Sequence, residues 1–392
     1  MSRIDTETIT ELLPGDVIIK TERRGQRQFS SLNEKLSETA SHATVYQQRN
    51  VSGKIERNII HSQNGGVQNG VKKMAMEKYV DRCSVDCVLG KHYVLRCKQL
   101  GVAEKMALAA SKWAPAISRE ESERRKKASE FGKVNLPTPY NSSRYEGAPE
   151  KEWSIEYIKA MTLYRVFKVY ARNKTSIVEP ESQLSLEAKP LSRHGVNCSG
   201  FVAYSHRVAL IDSIFPNGLP KNIRKVLEAI ERHKKEKGIK KTKKISIEML
   251  MELSKKIELC VLKNDYQQLC IPIRGENICS FVKSALADSE HWKFQGYLCY
   301  VENEPYVIDY DSYLKLTKNE TVSRSINVSR EELSAVGLLL PKAEEKPRLE
   351  LSSQVALSVF NANDTKKKTK QVAEPDISKM SSIEVHGRYG GH

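Results

Sequence analysis

The 392-residue chain lacks several features that would place it in a common class of protein. It contains no run of eighteen apolar residues, so we expect no membrane-spanning helix. Residues 1–16 contain no apolar stretch typical of a secretory signal peptide, which predicts a cytoplasmic protein or an effector delivered into a host cell by another route. The sequence also has neither an internal repeat nor a recognised nucleic-acid-binding module.

Cysteine is not abundant, and its spacing is not that of a disulfide-bonded framework. The eight cysteines are scattered along the chain, and without a signal peptide we expect a reducing compartment and no disulfides. Cys83 and Cys87 lie close to His92, but no second pair of ligands follows at the spacing of a zinc site. The sequence therefore predicts no metal centre.

Positive charge, in contrast, is concentrated in one segment. The formal net charge of the chain is +16, and residues 221–245 contain eleven Lys or Arg residues against three Glu residues. Such a segment is either a solvated helix face with its linker or a surface for an acidic partner. It contains no aromatic residue that would stack on a nucleic-acid base.

Apolar patterning predicts a chain of mixed strands and helices. The predicted strands cover residues 15–21, 43–46, 54–61 and 93–97, and a hairpin covers 296–310. The predicted helices cover residues 32–36, 102–113, 153–171, 199–212, 221–236, 246–263 and 277–288.

One cysteine lies where a catalytic thiol would be expected. Cys198 follows Asn197 and precedes Ser199 and Gly200, and the apolar run 201–204 continues as a buried helix would. The start of a helix carries partial positive charge and unpaired N–H groups, which favour the nucleophilic thiolate. The pattern indicates a catalytic thiol, with a buried structural cysteine as the alternative.

Two histidines at the ends of predicted strands can assist this thiol. A nucleophilic thiol needs a base that takes its proton and a third polar group that orients the base. His42 precedes the strand 43–46, and His61 ends the strand 54–61. Because a turn at 49–53 joins these strands, we expect the two imidazoles to be neighbours, with His42 as the base and His61 as the orienting group.

The order of these segments resembles the circularly permuted papain-like cysteine hydrolase superfamily, which includes NlpC-type permuted peptidases and lecithin:retinol acyltransferase-like proteins. The segments are GDVI at 15–18, SHATVY at 41–46, NIIH followed by GGV within 58–67, and NCSGFV at 197–202. The resemblance covers about 9–118 and 190–212. It implies an α+β fold in which an antiparallel sheet packs on the cysteine helix, and a structural role for Asp16.

The resemblance also implies a function. It predicts a thiol peptidase or amidase, or an acyl transferase, that works through a thioester without a metal or an organic cofactor. The Ser-Gly pair after the cysteine is similar to the NlpC-type branch, which favours a peptide, protein or amide substrate. Tyr140 and Asn197 are candidates for the substrate cleft.

Several alternatives stay open. The orienting group can instead be Gln63 or Asn64, the base can be His194, and Cys279 is a rival nucleophile at the start of another predicted helix. A different function is also open, in which a papain-like scaffold without activity uses the basic helices to bind an acidic protein, a membrane surface or nucleic acid.

The composition along the chain suggests four regions. Residues 1–118 and 186–215 are expected to form the catalytic core, and 119–185 a helical insertion that faces the substrate. Residues 216–340 are expected to form a mainly helical accessory domain with the basic stretch and a β-hairpin. Residues 341–392 are expected to be a disordered basic tail.

Overall fold

The computed structural model describes residues 9–21, 29–63, 68–79, 92–114, 134–135, 140, 154–172, 195–239, 245–271, 278–302, 304–318, 327–338 and 340. The strands are β1 (Thr10–Glu11), β2 (Val17–Thr21), β3 (Ala40–Val51), β4 (Lys54–Gln63), β5 (Gln68–Ala75), β6 (His92–Cys97), β7 (Val134–Asn135), β8 (Trp292–Val301), β9 (Glu304–Ile308) and β10 (Asn327–Val328). The helices are α1 (Leu32–Thr39), α2 (Leu100–Trp113), α3 (Ile155–Arg172), α4 (Cys198–Ile214), α5 (Lys221–Glu236), α6 (Ile247–Glu258), α7 (Lys263–Cys270), α8 (Ile278–Ala287), α9 (Tyr310–Lys318) and α10 (Arg330–Ala335).

The strands form one sheet, and the fold is α+β. Along the sheet the order is β1-β9-β8-β6-β2-β3-β4-β5-β7, with β10 beside β8. All neighbours pair antiparallel except β7 with β5 and β10 with β8, which are parallel. The predicted hairpin at 296–310 forms as β8 and β9, and β8 pairs with β6 in the middle of the sheet.

The sheet joins segments that the sequence assigns to different regions. By their contacts, residues 1–341 form one compact unit, and 342–392, which lie outside the described residues, form a second. The predicted helix 246–263 is α6, which ends five residues earlier, at Glu258, before exposed residues around Leu259. Helix α7, which begins where the prediction ends, was not predicted. The predicted strands and the other predicted helices are present, with ends that differ by a few residues.

Helix α4 packs on one face of the central strands. Side chains alternate between the two faces of a strand, so Ala43, Val45 and Gln47 share one face of β3. The side-chain amide of Gln47 donates a hydrogen bond to Ser111 of α2, which places α2 on that face. Helix α4 contacts α2, β3 and β4, and fourteen of its seventeen residues are buried. It is therefore a central helix of the core.

A close approach of backbone fixes the start of β2. Gly15 has a φ of +88°, and a Cβ atom there would lie 2.1 Å from the carbonyl oxygen of Ala103 in α2. The next residue, Asp16, is buried and accepts two hydrogen bonds from the Arg96 guanidinium of β6, at 2.8 and 2.7 Å. These contacts hold β2 between α2 and β6, beside the strand that carries His42.

The basic segment begins as an amphipathic helix. Helix α5 buries Ile223, Val226, Leu227 and Ile230 on one side and exposes most of its charged residues on the other. Residues 240–244 lie outside the described residues. Among the helices that are described, none combines the length and the apolar character needed to cross a membrane.

Candidate active site

The hairpin of β3 and β4 brings the two predicted histidines together. The strands are in register with Val45 opposite Ile60 and Tyr46 opposite Ile59, so His42 and His61 lie on the same face of the sheet. Nε2 of His42 lies 2.9 Å from Nδ1 of His61, which is a hydrogen bond. The ring centroids are 5.1 Å apart and the rings meet edge to face. The predicted contact between the two imidazoles is therefore present.

This hydrogen bond limits the protonation states of the pair. One of the two nitrogens must donate and the other must accept. If Nε2 of His42 donates, Nδ1 of His42 keeps its lone pair and can take a proton. His61 then accepts at Nδ1 and carries its own proton on Nε2. This is the arrangement in which His61 would hold His42 as a base.

The N-terminus of α4 is fixed by two hydrogen bonds. The side chain of Asn197 is the N-cap and accepts from the backbone N–H of Gly200 at 2.7 Å. The hydroxyl of Ser62, the residue after His61, donates to the carbonyl oxygen of Val196 at 2.6 Å. The strand that carries His61 therefore holds the residues that lead into Cys198.

Cys198 is the first residue of α4 and lies beside the strand of His42. The backbone N–H of Ala43 interacts with its thiol, and this N–H belongs to the peptide bond that follows His42. Burial, and then the charge of a Cys198 thiolate, raise the pKa of Tyr140, so the Tyr140 side chain lies near the thiol. Within the described ranges, no hydrogen bond connects the Cys198 sulfur to either imidazole. Alternation along β3 places the His42 side chain on the face opposite to that of Ala43 and Gln47. The structure of the described residues therefore brings the two histidines into contact with each other but not with the thiol.

The electrostatics favour neutral forms of the two central groups. Burial raises the pKa of the Cys198 thiol, although backbone N–H groups of Ala43 and of the first turn of α4 oppose the shift. Burial, and then the charges of Lys20 and Lys72, lower the pKa of His42 to about 4. At neutral pH the two side chains are therefore a thiol and an uncharged imidazole. The helix start, which the sequence predicts to favour thiolate, is outweighed by loss of solvent around the sulfur.

The rings of Tyr79 and His92 lie beside the pair His42 and His61. The sequence analysis assigned neither of them to the site. Tyr79 packs edge to face on His61 with centroids 6.2 Å apart, and on His92 with centroids 5.6 Å apart. His92 and His42 both pair with Lys20 in the sheet, one on each side of β2, so the three lie in one row on one face. The alternation of β6 could have placed His92 on this face, whereas Tyr79 follows β5 and had no sequence signal.

The alternative residues are distributed as follows. Gln63 ends β4, and Cys279 lies in the first turn of α8, half-buried and near Tyr93. Asn64 and His194 lie outside the described residues. Asn197 caps α4, so its side chain has a structural role in addition to the cleft role that the sequence suggests.

Comparison of the chain with family models, with curated proteins and with solved structures gave no match. The function is therefore inferred from the chain's own residues.

Proposed function

We propose that this protein is a cysteine-dependent hydrolase or acyl transferase that acts on an amide or peptide bond. Cys198 is the nucleophile, His42 the base and His61 the orienting group, in a permuted papain-like core. The observation that carries the proposal is the 2.9 Å hydrogen bond between His42 and His61. The backbone N–H of Ala43, the residue after His42, interacts with the Cys198 thiol.

The chemistry starts from neutral partners. As Sγ of Cys198 attacks the carbonyl carbon, Nδ1 of His42 takes the thiol proton, so charge develops only during the reaction. The carbonyl oxygen becomes an oxyanion, and the backbone N–H of Cys198 at the start of α4 donates to it. One such donor contributes about 3–4 kcal/mol to the stability of the transition state.

The remaining steps return the site to its first state. The C–N bond breaks, the imidazolium of His42 gives its proton to the leaving amine, and a thioester to Cys198 is left. Water or an acceptor amine then attacks the thioester, and His42 takes a proton from that attacking water or amine. The C–S bond breaks and the sulfur regains a proton from His42. Hydrolysis and acyl transfer differ only in the second nucleophile.

The test is covalent labelling of the full-length chain with a peptide vinyl sulfone, followed by mass spectrometry of the cysteine-containing peptides. We expect labelling at position 198 in the parent, none there in Cys198→Ala, and a rate at least about 100-fold lower in His42→Ala. Cys260→Ser is the matched control, because Cys260 is an exposed cysteine outside the cluster. Equal labelling of position 198 in the parent and in His42→Ala would overturn the proposal.

A further inference from the structure

A cavity lies along the flank of helix α4, beside the proposed nucleophile. Its volume is about 370 Å³, and it is bounded by α4, α7, α8 and the start of β8. Ser199, the residue after Cys198, lines it at the first turn of α4, and His206 and Arg207 line it two turns further on. A molecule in this cavity would therefore extend from the N-terminus of α4 along the helix.

The wall of the cavity carries a buried histidine with an unused nitrogen. His206 is 1% exposed, and its Nε2 has no hydrogen-bond partner among the residues that the structure describes. Buried polar atoms are nearly always hydrogen-bonded in native proteins. The ring packs on Trp292 with centroids 4.8 Å apart, which holds its orientation. Nε2 is itself buried, so it would reach a ligand in the cavity only after a small shift of the wall. A fixed imidazole with an unused nitrogen, beside the buried Arg207 on the same wall, points to a polar ligand.

The charge of the lining indicates the sign of that ligand. Arg207 and Lys283 line the cavity, and none of the described lining residues is acidic. Because the Lys283 ammonium is paired with the Glu38 carboxylate at 2.7 Å, the positive charge that a ligand would meet is chiefly that of Arg207. Burial, and then the charges of Arg207 and His291, hold the pKa of His206 well below its ordinary value. The imidazole is therefore uncharged at neutral pH and has one N–H to donate.

The guanidinium of Arg207 suits a planar anion. Arg207 is 5% exposed, and it donates one hydrogen bond to the carbonyl oxygen of Ala203 at 3.2 Å. A guanidinium has five N–H donors, so it can hold existing partners and still donate to a ligand. Its fork matches the two oxygens of a carboxylate. The hydroxyls of Ser199 and Ser284 also line the wall, but each already donates its proton, to Oδ1 of Asn197 at 3.4 Å and to the carbonyl oxygen of Ser280 at 2.9 Å.

We infer that this cavity is a recognition pocket for a carboxylate of the substrate, close to the amide bond that Cys198 attacks. The carboxylate belongs either to an acidic side chain or to a chain terminus. Trp292 and Phe281 supply the apolar wall for the carbon atoms that carry it. This inference rests on the proposed function for the identity of the bond that reacts, but the binding itself can be measured without any reaction.

The experiment measures binding to full-length Cys198→Ala, which cannot react, by saturation-transfer NMR. Three probes separate the sources of the carboxylate: N-acetylglutamate α-methylamide, N-acetylglutamine with a free α-carboxylate, and N-acetylglutamine α-methylamide with neither. We expect one of the two carboxylates to bind at least about tenfold more tightly than the neutral probe, since a charge-assisted hydrogen bond is lost without it. Equal affinity for all three, or no binding of any, overturns the inference.

Two variants in the same background locate the site. Arg207→Gln should lose the preference for the carboxylate, and His206→Phe, which keeps a ring against Trp292, should weaken carboxylate binding about tenfold. Arg224→Gln on the exposed face of α5 is the control and should change nothing. If Arg207→Gln does not fold, His206→Phe decides. Carboxylate binding that survives in the folded His206→Phe variant overturns the pocket assignment.

The two proposals can fail separately. Carboxylate binding in Cys198→Ala, with no vinyl sulfone labelling of the parent, would reject the proposed enzymatic function and support the carboxylate pocket. Labelling at position 198, with equal binding of the three probes, would support the proposed enzymatic function and reject the carboxylate pocket.

Discussion

Nε2 of His42 and Nδ1 of His61 are 2.9 Å apart, on neighbouring antiparallel strands. This contact fixes the ring of His42 through a second ring that is itself buried. The proton on one imidazole therefore depends on the proton on the other, and a substitution of either histidine should alter the behaviour of the Cys198 thiol.

His61 is predicted to act through His42. His61→Ala should slow labelling of Cys198 by the vinyl sulfone by about 10²- to 10⁴-fold, because His42 loses the acceptor that sets its tautomer. His61→Asn keeps a side-chain acceptor and should recover a large part of the rate. The melting temperatures of both variants serve as controls for folding. A His61→Ala protein that folds and labels like the parent would assign His61 a role in packing only.

The thiol of Cys198 should react slowly with a small reagent at neutral pH. Its pKa is raised by burial, and only the thiolate reacts, so the rate of alkylation by iodoacetamide should rise with pH beyond the range of an ordinary thiol. The exposed Cys260 is the internal reference and should be alkylated first. Peptide mapping after alkylation at several pH values gives both rates. Fast, pH-independent alkylation of Cys198 would instead show a thiolate–imidazolium pair.

Acid should destabilise the fold through His42. Its pKa falls from 6.5 to about 4 on folding, so the unfolded chain binds the proton more readily. This contribution to stability is present above about pH 6.5 and is lost as the pH falls towards 4. A shift of this size corresponds to about 3 kcal/mol.

The measurement is the free energy of unfolding by urea at about pH 7 and about pH 4. We expect the parent to lose about 3 kcal/mol more than His42→Gln between these values. The buried histidines that do not contact His42 remain in both proteins, so their contributions cancel in the comparison. The glutamine amide can keep a hydrogen bond to His61, which limits the change at that ring. The same loss in both proteins would mean that His42 is not buried in its neutral form.

Gly15 is predicted to be intolerant of a side chain. Gly15→Ala places a Cβ 2.1 Å from the Ala103 carbonyl oxygen at a φ of +88°, which should cost about 2–4 kcal/mol of unfolding free energy. Gly101→Ala is the matched control. Gly101 lies in α2 with nothing near its added Cβ, so this change should be neutral or stabilise by up to about 1 kcal/mol. Chemical denaturation measures both, and equal effects would contradict the close approach.

Local elements could be predicted from the sequence because their signals are local. The turn before Lys54 shows as positive φ at Ser52 and Gly53, and α5 covers the predicted residues 221–236. Strand β5 was missed because its sequence, QNGVKKMA, has two lysines and little apolar alternation. The pairing of β6 with β8 was missed because the two strands are nearly two hundred residues apart and neither sequence indicates its neighbour.

The candidate site was predictable to a similar extent. The hairpin connection is enough to bring His42 and His61 together, and the cap residue Asn197 marks the start of α4. The protonation states were not predictable, since they depend on how much solvent the surrounding chain removes. The same holds for His206, whose position on α4 is clear from the sequence but whose cavity is formed by α7 and α8.

The position of β8 in the sheet has a consequence for folding during synthesis on the ribosome. Strand β6 is an interior strand only when β8 lies beside it, and β8 leaves the ribosome almost two hundred residues later. Until then, β6 presents an open row of N–H and C=O groups of the kind that recruits other chains. A polypeptide shortened to residue 215 would keep Cys198, His42 and His61 but would carry that open edge permanently, and it should self-associate.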